Sequence, residues 1–163
     1  MILLPTAALA PLLILAAQPA GTPAGPPWTG KMLCTVNWTD PAVSNRKWTL
    51  GVASDSSTMT LAIYDRAQPG DPKPLARDET RELAPRKAKI EVTGIGASAV
   101  EVTSFAIGED RIWHDVPLGH VENLDKFPAA FVLTLAIENA APMRVEMRDF
   151  GDARVYLKRC LDR

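Results

Sequence analysis

The chain has 163 residues, 47% of them hydrophobic, which is enough for one ordinary domain with a real core and too little for several. Its 18 Lys and Arg nearly cancel its 19 Asp and Glu, so no global field gathers nucleic acid or an anionic membrane surface.

Residues Ile2 to Ala17 run apolar without an ionisable side chain, and a Pro/Gly/Ala-rich stretch follows Gln18. The run is shorter than the roughly 20 residues of a spanning helix and is interrupted by Pro5 and Pro11, so it reads as the apolar part of a cleaved secretory leader. The expected organisation is a leader over residues 1–17 with cleavage near 17 to 20, a flexible segment over 18–30, and one globular domain over 31–163. No Lys or Arg precedes the run, which departs from the usual leader pattern. Lipid attachment at Cys34 is disfavoured, because Lys31, Met32 and Leu33 stand where small residues are required. The protein is therefore expected in the periplasm or secreted, unattached to a membrane once the leader is removed.

Export would carry Cys34 and Cys160, the only cysteines, into an oxidising compartment as an even pair, where a bridge is the default. In the loop-entropy account such a long-range bridge stabilises by about 5 kcal/mol before strain is subtracted.

From Cys34 onward the hydrophobic period is mostly two. "KWTLGVAS" and "TMTLAIYD" read as a hairpin turning at Asp55 and Ser56. "KAKIEVTG" and "SAVEVTSFAI" form a second pair around Gly94 to Gly96, and "FVLTLAIE" and "MRVEMRDF" a third around "NAAP". "MLCTVNW" is a possible seventh strand. Between the first two pairs, "LARDETREL" is expected to make about two helical turns before Pro85. "LGHVENLDKFP" is a short segment ended at Pro128. Near the end, Ala153, Tyr156, Leu157, Cys160 and Leu161 recur at helical spacing opposite Arg154, Lys158, Arg159 and Asp162, with Asp152 as the expected N-cap. The fold class is α+β: an antiparallel sheet of six to seven strands covered by a C-terminal helix, with one disulfide.

The closing run "MRVEMRDFGDARVYLKRCLDR", with the Cys-containing first strand and the "WTL" hairpin, resembles a loose group of small exported alphaproteobacterial proteins. In these, a last strand passes through Gly into a helix ending in Cys. The likeness is strongest over residues 124–161. It implies export and a Cys34–Cys160 staple, and adds no mechanism.

Chemistry-bearing residues concentrate in "GEDRIWHDVPLGHVENLD". His114, Asp115 and His120 are ligand types for a divalent metal, and either His could serve as a general base. Their spacing matches no metal motif, and adjacent residues of an extended segment point to opposite faces, so a solvated loop is the simpler expectation. There is no G-x-S-x-G, H-E-x-x-H, C-x-x-C or P-loop, and no cofactor is implied. The "NWT" sequon at Asn37 reads more simply as strand. Trp28, Trp38, Trp48 and Trp113 suit a core better than a stacking platform. Arg154, Lys158, Arg159 and Arg163 make one face of the helix basic, a possible docking face for an anionic partner. The favoured reading is a non-enzymatic exported binding or accessory domain whose partner is an envelope protein or a small ligand. The alternative is a small metal-dependent or hydrolytic enzyme using the His114/Asp115/His120 loop.

Overall fold

A computed structural model describes residues 32–43, 46–53, 57–68, 71 and 75–162. The segment expected to be a leader, Trp28, the turn expected at Asp55 and Ser56, and Arg163 lie outside the described residues.

The described chain is mostly antiparallel sheet. Its strands are β1 (Met32–Thr39), β2 (Lys47–Ala53), β3 (Thr58–Arg66), β4 (Thr80–Glu82), β5 (Arg86–Val92), β6 (Gly96–Ile107), β7 (Arg111–His120), β8 (Phe131–Ile137) and β9 (Met143–Met147). A 3-10 helix (Val121–Lys126) follows β7, and α1 (Phe150–Leu161) follows β9. The strands are ordered β1-β2-β3-β7-β6-β5-β8-β9, with β4 paired to β6.

One parity along every long strand faces a common interior. Cys34, Val36 and Trp38 of β1 do so, as do Trp48, Leu50 and Val52 of β2 and Met59, Leu61 and Ile63 of β3. Ile90 and Val92 of β5, Val102 of β6, Val116 of β7, Leu133 and Leu135 of β8, and Val145 and Met147 of β9 do so too. Such alternation is what a sheet with one buried face requires.

The sheet curls until its two outer strands nearly meet. The Trp38 indole N–H on β1 donates to the Arg148 carbonyl just after β9 at 2.9 Å. The disulfide then joins Cys34 on β1 to Cys160 on α1, across a separation of 126 residues. The helix thus closes a nearly barrel-shaped sheet, burying Phe150, Ala153 and Leu157. Phe127, Phe131 and Phe150 meet beneath it at ring separations of 4.9 to 5.7 Å. An antiparallel sheet covered by a C-terminal helix and stapled once is the architecture expected, with two strands more than the upper count.

Those two strands correct the sequence reading. "RIWHDVPLGH" is strand β7, in the middle of the sheet between β3 and β6, instead of a solvated loop. Its pattern is hard to see because it buries a histidine on the inner face and a tryptophan on the outer. "LARDETREL" is not a helix. Leu75 is buried, a turn follows, and Thr80–Glu82 pairs with Phe105–Ile107 of β6. Gly108 anchors this segment, donating to the Glu79 carbonyl and accepting from the Leu75 amide. At φ +56°, a Cβ there would stand 2.8 Å from the Arg77 carbonyl oxygen, so glycine is required on two counts.

The helix also begins earlier than expected. Its N-cap is Asp149 in a left-handed conformation, without a side-chain cap hydrogen bond, and Asp152 lies inside the first turn. Tyr156, expected on the apolar stripe, is exposed.

Candidate functional site

The two ends of the curled sheet differ in chemistry. At one end the 3-10 helix and α1 supply apolar side chains, with Leu124 and the Phe cluster buried. At the other, where β1 and β3 finish and β2, β5 and β7 begin, charged side chains fold inward.

Asp65 ends the inward row of β3 and is 2% exposed, and Arg46, just before β2, donates to it at 2.7 Å. Arg46 also reaches Asp40 at 3.5 Å. Asp40 itself accepts the Ala42 and Val43 amides, which turns the chain out of β1. On the β5 side, Arg86 donates to the buried carboxylate of Asp71 at 3.3 Å.

Between these ion pairs lies His114, directly opposite Ile63 on β3 and Ser104 on β6. Its Nδ1 shares a hydrogen bond of 2.8 Å with Ser104 Oγ. The two side chains are 3% and 0% exposed. Burial, reinforced by the Arg86 charge and opposed by Asp71 and Asp65, brings the imidazole down from 6.5 to about 4. The ring is therefore neutral at ordinary pH. Serine next to neutral imidazole is the beginning of a nucleophilic pair, but here both groups are enclosed. Ala106 and its cross-strand partner Ile112 are buried one step further along the same strands, and so is Leu75 from the preceding loop.

The other two residues of the proposed enzymatic set go elsewhere. Asp115 is on the outer face of β7, where the Trp113 indole N–H donates to its carboxylate. Burial lifts its pKa from 3.8 to about 6, against the opposing effect of that hydrogen bond. His120 is exposed at the far end of the strand, before the 3-10 helix. Period-two alternation therefore sends His114 inward, Asp115 outward and His120 to the opposite end. Among the described residues, no group of three or more His, Cys, Asp or Glu is placed to hold a metal ion.

The three described tryptophans serve the fold. Trp48 is core, Trp38 joins β1 to Arg148, and Trp113 is nearly buried on the outer face beside Tyr64, at a ring separation of 6.2 Å. Arg111 stands 5.5 Å over that Tyr64 ring.

The basic face of α1 is divided. Lys158 pairs with Asp125 at 2.5 Å, and its hydrogen bond holds that carboxyl below the usual range. Arg154 donates to the Phe127 carbonyl at 2.9 Å and lies 3.9 Å from the same Asp125. These two cations fasten the helix to the 3-10 segment. Arg159 is exposed one turn beyond Val155 and Tyr156, which are 46% and 53% exposed. These three share the outward surface of the helix with Asp152 and Asp162, which are also exposed, a grouping the sequence pattern concealed by assigning Tyr156 to the core stripe.

The chain matches no protein-family model, no curated protein and no solved structure.

Proposed function

We propose that this is an exported, non-enzymatic binding or accessory protein of the cell envelope, working in the periplasm or outside the cell. Its docking surface is the outward side of α1. The reading is carried by one observation: a disulfide-pinned helix leaves Val155 and Tyr156 about half exposed beside Arg159. Tyr and Arg are the side chains that most often dominate interface energy, and a helix held at both ends loses little freedom on binding. The charge at Arg159, continued in sequence by Arg163, fits an acidic surface on a partner envelope protein.

The resemblance of the C-terminal run to small exported alphaproteobacterial proteins agrees with this setting. So does the disulfide, which persists in oxidising compartments. The dispersal of His114, Asp115 and His120 weighs against the alternative of a small hydrolase or metal enzyme.

The test is a Tyr156→Ala, Arg159→Glu double variant in cells that naturally make the protein, followed by chemical crosslinking of the envelope. The wild type is expected to form a discrete adduct that the variant loses, with thermal stability unchanged. An adduct equally strong in the variant would remove the helix from the interface, and no adduct from the wild type would count against a binding role.

A further inference from the structure

Strand β6 is paired unequally along its length. Thr103–Ile107 pair with β7 on one side, and Phe105–Ile107 also have β4 on the other, whereas Gly96–Val102 have β5 alone among the described residues. The ladder to β7 stops at Thr103 and Asp115; the same register would next set Val102 against Val116 and then Glu101 against Pro117, which has no N–H to give. A bulge follows on β7 between Pro117 and Gly119, seen in the register against Met59 and Thr60. Bulges increase local twist, and β7 leaves β6 at this point for the 3-10 helix.

The direction of the unpaired groups follows from one hydrogen bond. The Ser104 carbonyl accepts the Leu83 amide on the edge that β4 and β5 share. Backbone groups of a strand alternate sides, and β6 shows no register shift against β5. Val102, Val100 and Ser98 therefore face β5. Glu101, Ala99 and Ala97 aim their N–H and C=O groups at the open edge.

That edge lacks the usual guards. Sheet edges are commonly blunted by Lys, Pro or an inward charge, yet "GASAV" over residues 96–100 contains no charge and no proline, and Gly96 to Ala99 are all exposed. A second copy does not suit it. A strip about 17 Å long offers far less than the roughly 800 Å² per partner of a stable interface. A single extended strand needs only the strip.

We infer that the open edge of β6, from Ala97 to Glu101, is a strand-addition site for an extended segment of a partner polypeptide. Small side chains of that segment lie beside Ala97 and Ala99, and a Lys or Arg lies beside Glu101, continuing the alternation of charge from its β5 neighbour Lys87. The inference rests on the binding reading and adds a second surface with its own chemistry. The two adjoin. A Cβ at Gly94, in the β5–β6 turn, would lie 3.3 Å from Pro128, and the Gly151 amide of α1 donates to the Ala129 carbonyl at 2.9 Å.

The experiment titrates the ¹⁵N-labelled mature protein with an acetylated, amidated octapeptide of alternating Thr and Val carrying one Lys. Expected are shift changes confined to residues 96–101 and 117–120, with slowed exchange of the Ala97, Ala99 and Glu101 amides. Ala99→Pro deletes one outward N–H and spares the β5 ladder, so it should weaken the peptide by about ten-fold, the loss of one main-chain hydrogen bond. If that variant folds poorly, Ala97→Pro gives the same readout, and wild-type exchange stands without either. No response to the peptide, or equal binding by the proline variant, would overturn the inference. The helix-face double variant should bind the peptide as the wild type does, so failure of the edge and failure of the helix surface are distinguishable.

Discussion

Replacing His114 by Gln should reverse the direction in which acid changes the stability of this protein. The folded imidazole titrates at about 4 instead of 6.5, so the unfolded chain takes up its proton first as the pH falls. His114 therefore contributes stability that is present above 6.5 and is lost as the pH falls toward 4. From neutrality to about pH 5 that loss is about 2 kcal/mol. Its neighbour does the opposite. Asp115 titrates at about 6 when folded against 3.8, so its contribution is fully present below 3.8 and is lost as the pH rises through 6. Over the same interval of acidification Asp115 gains about 1 kcal/mol. The wild type should consequently lose only about 1 kcal/mol, two opposed effects from opposite faces of one strand. His114→Gln, which keeps a partner for Ser104, should become more stable at about pH 5 than at neutrality, by about 1 kcal/mol. Asp115→Asn should lose about 2 kcal/mol over that interval. Urea unfolding with the disulfide intact measures all three. Parallel pH dependence in the wild type and both variants would refute the assignment of these groups to sealed and half-sealed environments.

Two further outcomes follow from the ion pairs and the staple. Arg46→Met leaves the Asp65 carboxylate buried with its main cation gone and should cost about 3 to 5 kcal/mol in the same assay, and a cost under about 1 would mean that water reaches Asp65. Replacing Cys34 and Cys160 together by Ala should lower stability by up to about 5 kcal/mol, the loop-closure value for a separation of 126 residues. Hydrogen exchange in that variant should accelerate first in α1 and β1, and uniform acceleration would contradict the closing role given to the helix.

What the sequence revealed of this fold depended on how regular each element is. The hairpins of Val, Ile and Leu alternating with polar residues were readable because one face is buried and the other solvated. Helix α1 was readable from Ala153, Leu157 and Cys160, although its start was misplaced: Asp149 takes the left-handed cap position and Phe150 is drawn into the core. Strand β7 was hidden by tertiary placement, since His114 occupies an inner position, Trp113 an outer one, and Pro117 and Gly119 imitate a turn. β4, "TRE", has no apolar residue and exists only because β6 offers an edge. The polar end could not be assembled from sequence, because Asp40, Arg46, Asp65, Asp71, Arg86 and His114 come from six separate stretches. A clue was nevertheless present: Asp65 and Arg86 stand at strand ends on the parity otherwise occupied by core side chains.

The most direct test of an exported, stapled binding protein is intact mass, native and denatured but unreduced, on protein recovered from the envelope of the cells that make it. The predicted result is a denatured mass that lacks the leader and is two hydrogens below the dithiol form. In the native spectrum a partner's mass should be added, and that addition should disappear in the Tyr156→Ala, Arg159→Glu variant. A full-length chain with two free thiols and no added mass would contradict the account.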